Sequence, residues 1–259
     1  MSLKVNFDTF CDHAAHGRLA DVQRMLESGE LLVDVAHDAL QQAAANGHVD
    51  VVDCLLRHAT MFDPSANRNR AIWLAAANGH LGVVERLLRD ERVDPSANDN
   101  CAIRLAAANG HLAVVDRLLQ DERVDPSDCG NQAVQGAAQY GHLVVVERLL
   151  QDPRVDPSAR GSVALLWASG YGHLAVVERL LEDDRVDVAV ALQHSWYVHR
   201  KRFECRERLT EICIALQDLE LPAWVTVQIL DAARPWSTLP LHSKWNLVCA
   251  VKHYHDKKQ

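Results

Sequence analysis

Fourteen histidines and seven cysteines in 259 residues raise metal chemistry first. Five of the histidines, His48, His80, His111, His142 and His173, each follow a glycine and stand 31 or 32 residues apart. A zinc ion needs imidazole nitrogens at ~2.0–2.1 Å. Helical units carrying such residues stack ~8–10 Å apart, so neighbouring Gly-His histidines are not expected to share a metal. Each imidazole is expected to hydrogen-bond backbone at its turn instead. His253 and His255 are two apart and point to different faces of a helix, and no H-E-x-x-H occurs. Cys11, Cys54, Cys101, Cys129, Cys205, Cys213 and Cys249 include no C-x-x-C pair, which supports neither a zinc knuckle nor a disulfide framework. Gly170-Tyr171-Gly172-His173-Leu174-Ala175 fits the G-x-G-x-x-A dinucleotide fingerprint. That fingerprint needs a preceding strand, and the residues before it, VALLWAS, read as a helix. The acidic pairs Asp90-Glu91, Asp121-Glu122 and Asp183-Asp184 recur in phase and read as solvated helix ends. There is no G-x-S-x-G and no P-loop. No catalytic residue, metal ligand or cofactor is expected, and the chain is not read as an enzyme.

What positions these residues is a repeat. AANGHLGVVERLLRDERVDPS begins at Ala76 and returns at Ala107 as AANGHLAVVDRLLQDERVDPS. Looser copies begin at Ala14, Ala44, Ala137 and Ala168. The anchoring glycines, Gly17, Gly47, Gly79, Gly110, Gly141 and Gly172, are separated by 30, 32, 31, 31 and 31 residues. Such a period marks a stack of like units. In the unit from Asn69, the Ala-rich RAIWLAAAN is a helix former that Gly79 can end in left-handed backbone. LGVVERLLRD, residues 81–90, places Val83, Val84, Leu87 and Leu88 on one stripe of a second helix. Small Ala75 and Ala76 allow the two helices to approach. Pro64, Pro95, Pro126 and Pro157 recur as turn-makers. The fold class expected is all-α: about six helix-turn-helix repeats sharing a core between neighbours.

These residues resemble an ankyrin repeat, over about residues 6–190. The usual TPLH is absent, its places held by Arg70-Ala71-Ile72-Trp73, Cys101-Ala102-Ile103-Arg104 and Gln132-Ala133-Val134-Gln135. A proline occupies the hydrophobic position of the usual DVN, so a shortened, tighter finger is expected in place of a long β-hairpin. The resemblance implies a protein-binding scaffold that grips its partner with the concave face. One column of that face comprises Gln41, Trp73, Arg104, Gln135 and Leu166. A second comprises Asn46, Asn78, Asn109, Tyr140 and Tyr171. Aromatic and Arg types of this kind dominate interface energetics. The tips Asn67-Arg68-Asn69, Asn98-Asp99-Asn100 and Asp128-Cys129-Gly130 are expected to add polar contacts.

Domain boundaries follow the period. Repeats are placed at about 1–30, 31–61, 62–92, 93–123, 124–154 and 155–189, and residues 190–259 form a separate C-terminal segment. That segment reads as helices closing the stack. Leu221, Pro222, Ile229, Leu230 and Trp245 resemble an F-box, which implies the alternative of a ubiquitin-ligase substrate adaptor. Arg200, Lys201, Arg202, Arg206 and Arg208 are interleaved with Glu204, Glu207 and Glu211, the pattern of a salt-bridged face. Residues 1–189 carry 17 Lys and Arg against 28 Asp and Glu. An acidic array disfavours nucleic acid and favours basic or polar partners. No apolar run approaches the ~20 residues of a membrane span. The first residues lack the features of a secretory signal, so an intracellular location is expected, cytoplasmic with the nucleus as the alternative; a monomer is expected.

Overall fold

A computed structural model describes residues 2–27, 33–58 and 63–186. The described residues form twelve helices and no strand: α1 (Ser2–Ala15), α2 (Leu19–Glu27), α3 (Val33–Ala45), α4 (Val49–Arg57), α5 (Ala66–Ala77), α6 (Leu81–Leu88), α7 (Ala97–Ala108), α8 (Leu112–Leu119), α9 (Asp128–Gln139), α10 (Leu143–Leu150), α11 (Ala159–Tyr171) and α12 (Leu174–Leu181). They belong to two units, Met1–Cys129 and Gly130–Gln259. In the first unit the odd-numbered helices α1, α3, α5 and α7 pack side by side in chain order. The even-numbered α2, α4, α6 and α8 do the same, each also resting on the helix before it. In the second unit α12 packs on both α10 and α11. The C-terminal segment, with its F-box-like and basic residues, lies outside the described residues.

The second helix of each pair forms because its apolar residues fall on one stripe. Val83, Val84 and Leu87 of α6 are fully buried, as are Val145, Val146 and Leu149 of α10 to within 1%. Each such side chain contributes roughly 1.5–3 kcal/mol by leaving water. The first helices bury small residues, Ala75 and Ala76 in α5 and Ala106 and Ala107 in α7. That is what lets neighbouring helices lie close.

The turn between the two helices is one motif repeated. Gly79 sits at φ +77°. Its N–H donates to the Ala76 carbonyl at 3.2 Å, and the His80 N–H to the Ala75 carbonyl at 2.9 Å. These are the two bonds of a Schellman ending. The same pair recurs at Gly17, Gly47, Gly110, Gly141 and Gly172. At Gly17 the following residue is Arg18, which keeps the backbone bonds and turns its side chain to Asp12 at 3.5 Å.

The finger is tighter than a hairpin, as expected, and its form was not foreseen. Three consecutive residues take the left-handed conformation before the right-handed helix starts. They are Asn67, Arg68 and Asn69 at the start of α5, and Asn98, Asp99 and Asn100 at the start of α7. They are also Cys129, Gly130 and Asn131 near the start of α9, and Arg160, Gly161 and Ser162 at the start of α11. Such backbone costs about 1–2 kcal/mol for each residue carrying a Cβ. The bonds that hold it explain the motif.

Candidate functional site

The tips are locked from the following repeat. Asn69 and Asn100 are buried, and their Oδ1 atoms accept the N–H groups of Asp94 and Asp125 at 2.8 and 2.9 Å. Asn131 accepts the Asp156 N–H at 2.7 Å. His37 does the same for Asp63 through Nε2 at 3.1 Å. Each of these aspartates begins an Asp-Pro-Ser turn and accepts from its own serine, as Asp94 does from the Ser96 N–H at 2.9 Å and hydroxyl at 2.6 Å. Asp128 accepts from Asn100 Nδ2 at 2.9 Å, which holds its carboxyl below the usual carboxylate range. In three of the tips the third residue, Asn69, Asn100 or Asn131, is therefore an internal brace. The exposed parts are Asn67, Arg68, Asn98, Asp99, Gly130 and Arg160.

The recurring acidic residues are braces too, which corrects their reading as solvated. Arg123 grips Asp121 with Nε and Nη2 at 2.9 and 2.8 Å, and its Nη1 donates to the Val93 carbonyl at 2.9 Å. Arg185 repeats this with Asp183 and the Val155 carbonyl. Asp90 and Asp152 are held likewise by Arg92 and Arg154. The four aspartates are mostly buried, whereas Glu91 and Glu122 are exposed. Hydrogen bonding from the arginine, opposed by burial, holds each carboxyl below its usual range.

The Gly-His histidines bond backbone, as expected, and the carbonyl belongs to the preceding repeat. Nε2–H of His48, His80 and His111 donates to the carbonyls of Ala15, Ala45 and Ala77 at 2.8, 3.0 and 3.0 Å. His173 donates to Gln139 at 2.9 Å. Tips, carboxylates and imidazoles that recur with the period thus carry stability, and among the described residues no group of three His, Cys, Asp or Glu gathers to hold a metal.

What faces water is a different set. In the first column, Gln41 and Gln135 are buried, so neither projects. Gln135 Nε2 donates to the Gly130 carbonyl at 2.6 Å and supports its own tip. Arg104, half-buried, does the same toward the Asn98 carbonyl at 3.2 Å. Trp73 is half-buried beneath Arg70, whose guanidinium lies 5.4 Å from the ring centre. Leu166 is half-buried. The column reads mainly as support for the tips.

The second column is open. Asn46, Asn78 and Asn109 are exposed in the first unit. In the second unit Tyr140 and Tyr171 are 58% and 63% exposed, the two most exposed large apolar residues described. Each lies against the histidine two residues on, at 6.5 Å for Tyr140–His142 and 6.4 Å for Tyr171–His173. Gln139 Nε2 approaches the Tyr171 hydroxyl at 3.5 Å. Sequence reasoning missed Trp167 and Val144, which are 38% and 56% exposed. Trp167 lies four residues before Tyr171, and residues so spaced share a helix face. That spacing was the available signal.

Residues 10–99 and 103–191 match the family model described as ankyrin repeats (3 copies). Among solved structures, the human ASB11 ankyrin repeat domain is similar with a TM-score of 0.56 and 18% identity, over 67% of this chain and 82% of that one. Identity that low speaks for the fold alone. No curated protein matches. Among the described residues no helix is long and apolar enough to cross a membrane.

Proposed function

The chain belongs to the ankyrin-repeat family, a protein-interaction module, and on that premise we propose that it is a non-enzymatic scaffold that binds a protein partner. The proposed contact residues are Asn46, Asn78 and Asn109 of the first unit and, taken by itself, the pair Tyr140 and Tyr171 of the second. Trp73 and Arg104 of the first unit, and Leu166 and Trp167 of the second, are proposed to add to the contact within their own units. The observation that supports this most is the exposure of Tyr140 and Tyr171. Tyrosine gives large contact area with little conformational entropy to lose, and beyond the neighbouring histidine rings and Gln139 most of the surface of each ring faces water. The acidic array suits a partner with basic or polar surface and not a nucleic acid. The domain division at residue 190, the cytoplasmic location and the monomeric state belong to the same proposal.

A photo-crosslinking amino acid placed at residue 140 or 171 is expected to capture the partner. The same group at exposed Arg89 in the first unit, outside the open column, serves as the control. Capture of the same partner from position 89 and from neither tyrosine would overturn the reading.

A further inference from the structure

The open column of the first unit holds a second chemistry. Asn46, Asn78 and Asn109 are each followed by glycine, at Gly47, Gly79 and Gly110, whereas Tyr140 and Tyr171 take the asparagine's place in the second unit. An unhindered Asn-Gly bond is prone to a defined reaction. The glycine nitrogen attacks Cγ of the asparagine, the Cγ–Nδ2 bond breaks, and the amide leaves as ammonia carrying the nitrogen's proton. Water then opens the five-membered imide at either carbonyl, giving aspartate or isoaspartate. No oxidant or catalyst is needed.

The fold opposes each step of this. Asn78 and Asn109 have ψ of 4° and 1°. Ring closure needs the glycine nitrogen eclipsed with Cβ, a ψ rotation of about 120°. The glycine N–H groups are bonded to the Ala44, Ala76 and Ala107 carbonyls at 3.3, 3.2 and 3.2 Å. The leaving amides are held as well. Asn46 Nδ2 donates to Gln42 at 2.8 Å and Asn78 Nδ2 to Leu74 at 3.0 Å. Asn109 Nδ2 reaches across to the Ala77 carbonyl of the preceding repeat at 2.7 Å, the same oxygen that accepts from His111.

We propose that Asn46, Asn78 and Asn109 are succinimide-forming sites that the folded first unit holds shut, so that their conversion records opening of that unit and then hinders its closing again. The product aspartate loses the donor to a helix C-terminal carbonyl and sets a negative charge at the negative end of the helix. Isoaspartate also adds a backbone carbon ahead of the glycine. A Cβ at Gly47 or Gly79 would lie 2.6 Å from His80 or His111 Nδ1 of the next repeat, so the turn has no room to shift. The second unit, with tyrosine at these positions, has no Asn-Gly bond.

The test incubates the full chain in mildly alkaline buffer with and without denaturing urea and maps amide loss and isoaspartate by mass spectrometry. In urea, conversion is expected at the three Asn-Gly bonds and not at Asn67, Asn69, Asn98, Asn100 or Asn131. In the folded chain it is expected at least about tenfold slower, because local opening must precede it, with Asn109 the slowest of the three. The converted chain, returned to native buffer, is expected to melt at a lower temperature, whereas an Asn46→Gln, Asn78→Gln, Asn109→Gln chain treated alongside keeps its own melting temperature. Equal rates with and without urea, or a converted chain that melts unchanged, would overturn the proposal.

Discussion

At the scale of single residues, the polar side chains divide into those that hold the fold and those left over. Asn100 accepts from the Asp125 N–H and donates to Asp128 while sitting at φ 54°. Asn100→Ala therefore leaves the part-buried Asp125 amide without its acceptor, and a loss of about 1–3 kcal/mol is expected by urea unfolding. Arg68 lies in the same kind of tip at φ 59°, yet is exposed. Arg68→Gly relieves left-handed strain without removing a brace and is expected to raise the melting temperature, a gain of up to ~1 kcal/mol. If the two substitutions act alike, the strained tips are not held as described. Little of this division was legible beforehand. Asn67 and Asn69 are the same residue type two positions apart, and only the next repeat, 25 residues away, makes one a brace and leaves the other in water.

At the scale of elements, the unit was largely readable, because period and apolar stripe are local properties. Val83, Val84 and Leu87 had to face inward together, and Gly79 had to end α5. What local pattern did not reveal was that the glycine and the next repeat's histidine form one lock. Gly79 needs φ +77° and also faces His111 Nδ1 at 2.6 Å from where a Cβ would stand. Gly79→Ala is thus expected to destabilise through both strain and collision. In a His111→Ala background only the strain remains, about 1–2 kcal/mol. A double-mutant cycle measured by thermal unfolding should show this coupling. Additive effects would mean the ring and the turn are independent. The left-handed tip was also out of reach, since three successive non-glycine residues in that region contradict intrinsic preference and are stabilised from outside their own repeat.

At the scale of the whole molecule, the same bonds repeat in both units, so their response to acid is shared. The carboxyls of Asp90, Asp121, Asp152 and Asp183 titrate below their ordinary range in the folded chain, chiefly through the arginine two residues on. A group whose folded value is depressed contributes its full stability above the unfolded value of about 3.9. That contribution fades as pH falls through the folded value. Replacing all four by asparagine is expected to lower stability at neutral pH and flatten its fall in acid, followed by helicity against pH. An unchanged acid profile would remove these pairs from the account. With stability assigned to tips, Arg-Asp pairs and Gly-His locks, the exposed tyrosines are left to function. The most direct measurement is the dissociation constant of the crosslinked partner for the Tyr140→Ala, Tyr171→Ala chain, with helicity and melting temperature recorded alongside. The account predicts weakening by at least about 30-fold, the loss of one strong contact, with fold unchanged. Binding as tight as that of the original chain would contradict it.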